Sequence, residues 1–441
     1  MGTQALVLHP RLPSKTAAGQ AVRDPDARLD EAVGLTSAID LVTAHAEVVT
    51  VAKPRAGTLF GSGQIERYAE LAERLEIDVV VVDHELTPVQ QRNLERQLNT
   101  KVIDRTQLIL EIFGARARTH EGRLQVDLAS LTFQRSRLVR SWTHLERQRG
   151  GTGFMGGPGE SQLEIDRRLI GDRIIRIRRE LEDVKRTREL HRDARRRVPY
   201  PIVALVGYTN AGKSTLFNRL SGAAVMAQDL LFATLDPTMR RVALPGGRMI
   251  ILSDTVGFIS DLPTHLVAAF RATLEEVTEA NVVMHVRDIA HPDTEAQKHD
   301  VLIVLRELGI DETTRAGRML EVLNKIDLLP EDQRIVLRQR TIASNEPVAA
   351  VSAVTGEGVD TLIARIETLL GVDDRVCRFR IDLREGEVLA WLYAHGEVIE
   401  RVDDDQHARV SVSLGPADLA RFEKRFAGQV DHMRDVSSNA G

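Results

Sequence analysis

The chain has 441 residues, 43% hydrophobic and 28% charged, with 31 Gly and 15 Pro. That length exceeds one ordinary core and points to several domains, while the composition excludes a collagen-like, disulfide-scaffold or wholly disordered chain. The net charge of −5 advertises no overall affinity for nucleic acid, yet residues 116–197 carry 21 Arg and Lys against 12 Asp and Glu, a local excess of +9 on a chain that is otherwise acidic. Cys377 is the single cysteine, which excludes an internal disulfide and fits a reducing cytosol. No apolar run approaches the ~18–20 residues of a membrane span, and the opening MGTQALVLHPRLPSK lacks the ordered regions of a signal peptide. A cytoplasmic, multidomain protein without a transmembrane segment is the expectation.

In chain order, residues 1–30 contain Pro10, Pro13 and Pro25 and read as a flexible lead-in. Residues 31–115 alternate strand-like runs, AEVVTVA (46–52), DVVVVD (78–83) and KVIDR (101–105), with helix-like segments at 64–75 and 87–98. Continuous β-branched runs between amphipathic helices predict a small parallel α/β domain. Residues 116–197 lack β-runs, and helices over 126–149 and 161–197 flank GGTGFMGGPG (150–159), which predicts a basic helical hairpin tipped by a glycine loop. VPYP (198–201) marks a linker. Residues 198–371 restart the α/β pattern, with strands expected at 202–207, 249–254, 281–286, 319–324 and 348–353 in a doubly wound sheet. Residues 372–441 read β-α-β-β-α, a small α+β domain.

The pattern G-x-x-x-x-G-K-[ST] occurs once, as Gly207, Tyr208, Thr209, Asn210, Ala211, Gly212, Lys213 and Ser214, followed by Thr215. It lies after a predicted buried strand and opens a predicted helix, the context of a phosphate-binding P-loop. Its glycines allow the tight turn, its N–H groups face the phosphates at a helix N-terminus, Lys213 places a charge on the β/γ-phosphates, and Ser214 offers a hydroxyl to Mg2+. One strand downstream, Asp254, Thr255, Val256 and Gly257 form D-x-x-G. Asp254 is placed to reach Mg2+ through a water, and Gly257 to give its N–H to a γ-phosphate. Asn324, Lys325, Ile326 and Asp327 form N-K-x-D after another strand. There Asp327 accepts from guanine N1–H and its 2-amino group, which adenine cannot supply. Ser352, Ala353 and Val354 follow a further strand, where a backbone donor for the base oxygen is expected. Between P-loop and Asp254, Phe232, Ala233, Thr234, Leu235 and Asp236 are assigned to a first switch loop, with Thr234 the second hydroxyl on Mg2+ and Thr238 its rival. Lys213, Thr234 and Gly257 are the expected catalytic set. Phe258 stands where a water-orienting Gln or His is found in other GTPases, so slow basal hydrolysis is expected.

GPGESQLEIDRR (157–168), GYTNAGKSTLFN (207–218), FATLDPTMR (232–240) and DTVGFISDLP (254–263) together resemble the HflX family of ribosome-associated GTPases, over about residues 31–371. The resemblance implies an N-terminal α/β subdomain with a helical hairpin ahead of the GTPase domain. It also implies binding to the large (50S) ribosomal subunit and its RNA, with a role in ribosome splitting or rescue, protein synthesis or ribosome biogenesis. ATP use by the N-terminal domain is implied as well, although only the G-x-G at Gly61–Gly63 stands there as a candidate motif. The chain departs from the family pattern at Phe154 and Met155 in the glycine loop and at Val354, where a Lys is common.

The expected ligands are therefore GTP and GDP with Mg2+, and the expected partner is the large subunit, bound by shape and phosphate rather than by base stacking. Stable DNA binding is not expected, nor an oligomer away from the ribosome. A GTP-gated protein-interaction switch and an ATP-driven RNA-remodelling enzyme are the competing readings. The base-recognition assignment makes one demand: Asp327→Asn should lose guanine preference and favour xanthine, at a cost of roughly 1–3 kcal/mol per unsatisfied buried group. Competition binding with GTP and xanthosine triphosphate measures it, and parental affinity for GTP in the variant would refute the assignment.

Overall fold

A computed structural model of the chain describes residues 2–13, 23–148, 162–195, 200–222, 231–232, 238–260, 276–310, 317–344, 346–371, 374–426 and 430–433. The N-terminal sheet is wholly parallel, with order β2-β1-β3-β4. Its strands are β1 (Gln4–Arg11), β2 (Val42–Thr50), β3 (Val79–Val82) and β4 (Lys101–Asp104). The run of four valines in β3 is buried on both faces. Val79 and Val81 pack toward α1 (Pro25–Ser37) and α4 (Arg105–Arg116), and Val80 and Val82 toward α2 (Ser62–Arg74) and α3 (Pro88–Leu98). This two-sided cover explains why the strand has no polar alternation.

The expectation of a flexible lead-in over 1–30 is corrected here. Residues 4–11 form β1, a central strand with Ala5, Leu6 and Val7 fully buried. Its proline misleads because Pro10 sits at the strand's end, where a missing N–H costs little. Pro25 likewise starts a helix rather than breaking one: it follows Asp24, whose side chain accepts from Asp26 N–H as the N-cap.

Helices α5 (His120–Gln148) and α6 (Gln162–Arg195) pack along one another as the hairpin. The glycine loop 150–159, with Phe154 and Met155, lies outside the described residues. Midway along α5 the helix is fastened to the N-terminal sheet: the Arg137 guanidinium lies over the Phe133 ring, 5.1 Å from its centroid, and donates to Asp104 at 2.9 Å.

The third region holds β5 (Ile202–Gly207), α7 (Lys213–Ser221), β6 (Thr238–Ala243), β7 (Met249–Asp254), β8 (Val282–Asp288), α8 (Thr294–Glu307), β9 (Met319–Asn324), α9 (Glu331–Ala343), β10 (Val348–Ala350) and α10 (Val359–Gly371). Strand order is β10-β9-β8-β5-β7-β6, parallel except for β6, which runs antiparallel at the edge. The sequence TMRRVA hides β6 because Arg240 and Arg241 are exposed there, leaving no apolar run to read.

The last region comprises β11 (Arg375–Asp382), α11 (Gly386–His395), β12 (Glu397–Asp403), β13 (His407–Leu414), α12 (Pro416–Arg425) and β14 (Val430–Met433). The order β12-β13-β11-β14, all antiparallel, is a split βαβ arrangement, and β14 extends the five elements read from sequence. Phe379 is fully buried there, with its ring centroid 4.5 Å from that of Phe422. Phe379→Ala should therefore cost ~3–5 kcal/mol of that domain's stability. Urea unfolding followed by Trp391 fluorescence should show an earlier transition, with nucleotide affinity unchanged; an unmoved midpoint would contradict this packing.

Candidate functional site

Every motif loop leaves the carboxyl end of a parallel strand: the P-loop from β5, D-x-x-G from β7, N-K-x-D from β9, and Ser352-Ala353 just beyond β10. The chain reverses its strand order around β5, and the carboxyl edge at such a reversal is where open α/β sheets bind ligands.

Within the P-loop Asn210 has φ 58° and Gly212 φ 89°. Gly212 is required twice, by its left-handed backbone and by space, since a Cβ there would stand 2.2 Å from Asn324 Nδ2. Asn324 fixes the base side of the site, donating from Nδ2 to Ala211 O at 2.8 Å and accepting at Oδ1 from Ala353 N–H at 3.0 Å. One side chain thus ties the P-loop to the loop after β10. The Ala353 N–H, expected to face a base oxygen, is engaged in that tie because the amide oxygen needs a donor when buried. Lys325 has φ 65° and pairs with Asp288 at 2.8 Å. Ile326 is fully buried, and Asp327 Oδ1 is buried without a hydrogen-bond partner, as suits an acceptor awaiting a donor. Ser352 is buried and accepts at Oγ from Thr355 N–H at 3.1 Å. Val354, the departure from the family pattern, turns its side chain to solvent at 68% exposure. Its carbonyl, with that of Ala353, accepts from Arg219, a residue sequence reading passed over.

On the phosphate side, Ser214 Oγ donates to Asp254 Oδ2 at 2.7 Å. This pair brings a hydroxyl and a carboxylate together at the first turn of α7, where Thr215 follows. Thr255 Oγ1 donates to Leu205 O at 2.6 Å, Val256 is buried, and Thr238 lies opposite Asp254 in the β6–β7 register. The D-x-x-G segment lies along the P-loop: Phe258 N–H donates to Gly207 O at 3.0 Å and Thr209 N–H to Phe258 O at 2.7 Å. A Cβ on Gly257 would meet Lys213 Nζ and Thr209 Cα, both at 3.0 Å, so only glycine approaches this closely. Thr209 Oγ1 is buried without a hydrogen-bond partner. Phe258 is 3% exposed in a core shared with the N-terminal domain, and an apolar ring there has nothing with which to orient water.

Ala233, Thr234, Leu235 and Asp236 lie outside the described residues. Phe232, at φ 57°, turns its ring onto Phe113 of α4, and the Tyr208 hydroxyl likewise donates to Glu31 of α1. Their places in the P-loop and the first switch segment suggest nucleotide contact, yet both side chains reach the N-terminal domain. The Gly61–Gly63 candidate resolves as a helix start, with Gly61 N–H capped by Gln64 Oε1 at 3.0 Å. Among the described residues no helix is long and apolar enough to cross a membrane, and no group of His, Cys, Asp and Glu is disposed to hold a metal by itself.

Comparison with known proteins settles the family. A protein described as GTPase HflX from Magnetococcus marinus is 52% identical over 397 residues, 90% of each chain. This chain belongs to the HflX family of GTPases. GTPase HflX of Escherichia coli is 43% identical over 376 residues, 85% of this chain and 86% of that one. Family models described as GTP-binding GTPase N-terminal, GTP-binding GTPase middle region, 50S ribosome-binding GTPase and HflX C-terminal domain match residues 26–114, 116–195, 202–325 and 336–436. Among solved structures, a GTP-binding protein from Sulfolobus solfataricus in complex with GDP aligns over 83% of this chain and 98% of its own, at 22% identity and a TM-score of 0.45.

Lys213 carries a measurable signature of this site. Burial pulls its ammonium down from 10.5 to about 8, against the opposing pull of Asp254, and its Nζ donates to Tyr208 O at 2.8 Å. Triphosphate charge favours the protonated amine, so the bound pKa lies above the free one and binding takes up protons between the two. GTP affinity should fall as pH rises above about 8. Calorimetry at pH ~9 in buffers of different ionisation enthalpy reads the uptake directly, and zero uptake would contradict the assignment.

Proposed function

We propose that this chain is a GTP-hydrolysing factor of the cytoplasm that works on the large ribosomal subunit and splits or rescues stalled ribosomes. The match of residues 202–325 to a model described as 50S ribosome-binding GTPase carries the reading. The basic hairpin supports it by supplying a cationic surface at which ribosomal RNA phosphates can be held.

At the nucleotide, the P-loop amides cradle the phosphates, Lys213 neutralises the β/γ oxygens, and Gly257 N–H meets the γ-phosphate. Asp327 selects guanine while Asn324 and Lys325 brace its loop. The hydroxyl–carboxylate pair of Ser214 and Asp254 is an oxygen donor set suited to a hard cation. Ser214 and Thr234 would hold Mg2+ directly and Asp254 through a water. Held by these residues, Mg2+ would supply positive charge that offsets the charge developing on the phosphates. With Phe258 unable to orient the attacking water, basal turnover is slow and the ribosome supplies what is missing.

Three experiments test this. Co-sedimentation with large subunits should require a non-hydrolysable GTP analogue and be lost with GDP. The exposed pair Arg176 and Arg179 of α6, changed to Glu, should weaken binding and flatten its salt dependence by about one unit of slope per lost phosphate contact. Replacing residues 151–158 by a Gly-Ser linker should abolish ribosome splitting, followed by light scattering, and leave basal hydrolysis intact. Salt-independent, nucleotide-independent sedimentation would refute the ribosomal reading.

A further inference from the structure

Three segments around the phosphate site turn side chains away from it and into one face of the N-terminal domain. From the P-loop, the Tyr208 hydroxyl donates to a carboxylate oxygen of Glu31. From the segment after Gly257, Ser260 gives its N–H to the same phenolic oxygen at 2.7 Å and its hydroxyl to Glu31 at 3.1 Å. From the loop ahead of β6, Phe232 packs edge-on against Phe113 with centroids 4.7 Å apart. Arg105, the first residue of α4, closes the cluster. Its guanidinium pairs with Glu31 and Asp83 and donates to the hydroxyl and carbonyl of Ser260 at 2.9 and 3.0 Å. Asp83 is held in turn by His9 at 2.7 Å. Asp104, the residue before Arg105, accepts from Arg137 of the hairpin at 2.9 Å. A bonded line thus runs from helix α5 to the P-loop and the D-x-x-G segment.

The cluster is dry: Arg105 is 3% exposed, Tyr208 4% and Ser260 0%. Burial opposes the charge on Arg105, but Asp83 and Glu31 hold its pKa well above the usual value. Burial raises the Tyr208 phenol, which stays protonated and keeps donating.

Its position matters for phosphate. Lys213 Nζ donates to Tyr208 O, and Gly257 approaches so closely that a Cβ on it would stand 3.0 Å from that Nζ. A γ-phosphate draws on both the Lys213 ammonium and the Gly257 N–H, so admitting it bears on the short segment that runs from Gly257 to Ser260. GDP makes no such demand. We propose that Glu31 and Arg105 are positioning residues of the GTPase. By clamping Tyr208 to Ser260 they favour the arrangement without a γ-phosphate, set the discrimination between GTP and GDP, and pass it to the hairpin.

The test uses the full chain without ribosomes, so it stands apart from the ribosomal reading. Dissociation constants for GDP and for a non-hydrolysable GTP analogue, both with Mg2+, are measured for the parent, Tyr208→Phe, Ser260→Ala and Glu31→Gln. Loosening the clamp should raise the analogue's affinity relative to GDP by about tenfold, the order expected from one lost buried hydrogen bond to a charged group. The double variant Tyr208→Phe/Ser260→Ala should shift the ratio no further than either single change, because the two act as a unit. An unchanged ratio, or an equal weakening for both nucleotides as a merely structural role would give, overturns the proposal, as do additive shifts. If Glu31→Gln fails to fold, Tyr208→Phe keeps the ring and backbone and decides alone.

Discussion

The guanidinium of Arg105, 3% exposed between the N-terminal sheet and the nucleotide domain, constrains how those two parts can meet. Buried ion pairs contribute little net stability, because desolvation of the charges offsets their attraction, yet removing one partner costs ~3–5 kcal/mol. Such a group therefore fixes geometry more than it adds cohesion. The cohesion comes from apolar side chains around it. Leu231, Phe232, Phe258 and Ile259 share one continuous core with Phe113 and Phe133, so the apolar contact supplies the binding and the ions supply the register.

The parallel strands of both sheets present their carboxyl ends to this contact. In such a sheet the reversal of strand order leaves a crevice that usually takes a ligand. In the nucleotide domain that edge carries the motif loops. In the N-terminal domain the reversal falls between β1 and β3, where His9, Asp83 and Arg105 gather. What fills it is protein: the Tyr208 ring and the Ser260 backbone. The polar groups of that crevice are thus committed to reporting on a neighbouring phosphate site.

How much of this was legible in the sequence depended on how local the cause was. The strands of the nucleotide domain stood out because burial on both faces writes an uninterrupted apolar run, and the motif loops stood out because each had such a run before it. β6 did not, since an edge strand with arginines outward leaves no such record. β1 was obscured by Pro10, and β14 was missed beyond the last helix read from sequence. Phe258 stands out in sequence as an apolar residue after Gly257, but its place in a core shared with the N-terminal domain leaves no local mark. Arg105 was invisible: its contact with Ser260 spans 155 positions, and nothing in KVIDR marks the arginine. Tyr208 occupied a wild-card place in the P-loop pattern, which describes only the backbone's needs.

The fit between Gly212 and Asn324 has a consequence for how this site can change over generations. The amide nitrogen that braces the P-loop occupies the space any side chain at 212 would need. A side chain at 212 would expel the amide, and a residue at 324 without an amide would leave Ala211 O and Ala353 N–H untied; either substitution alone destroys the brace. Two positions 112 apart in the chain therefore share one small volume, and because 212 also needs a left-handed backbone, a smaller residue at 324 would not by itself free it to vary.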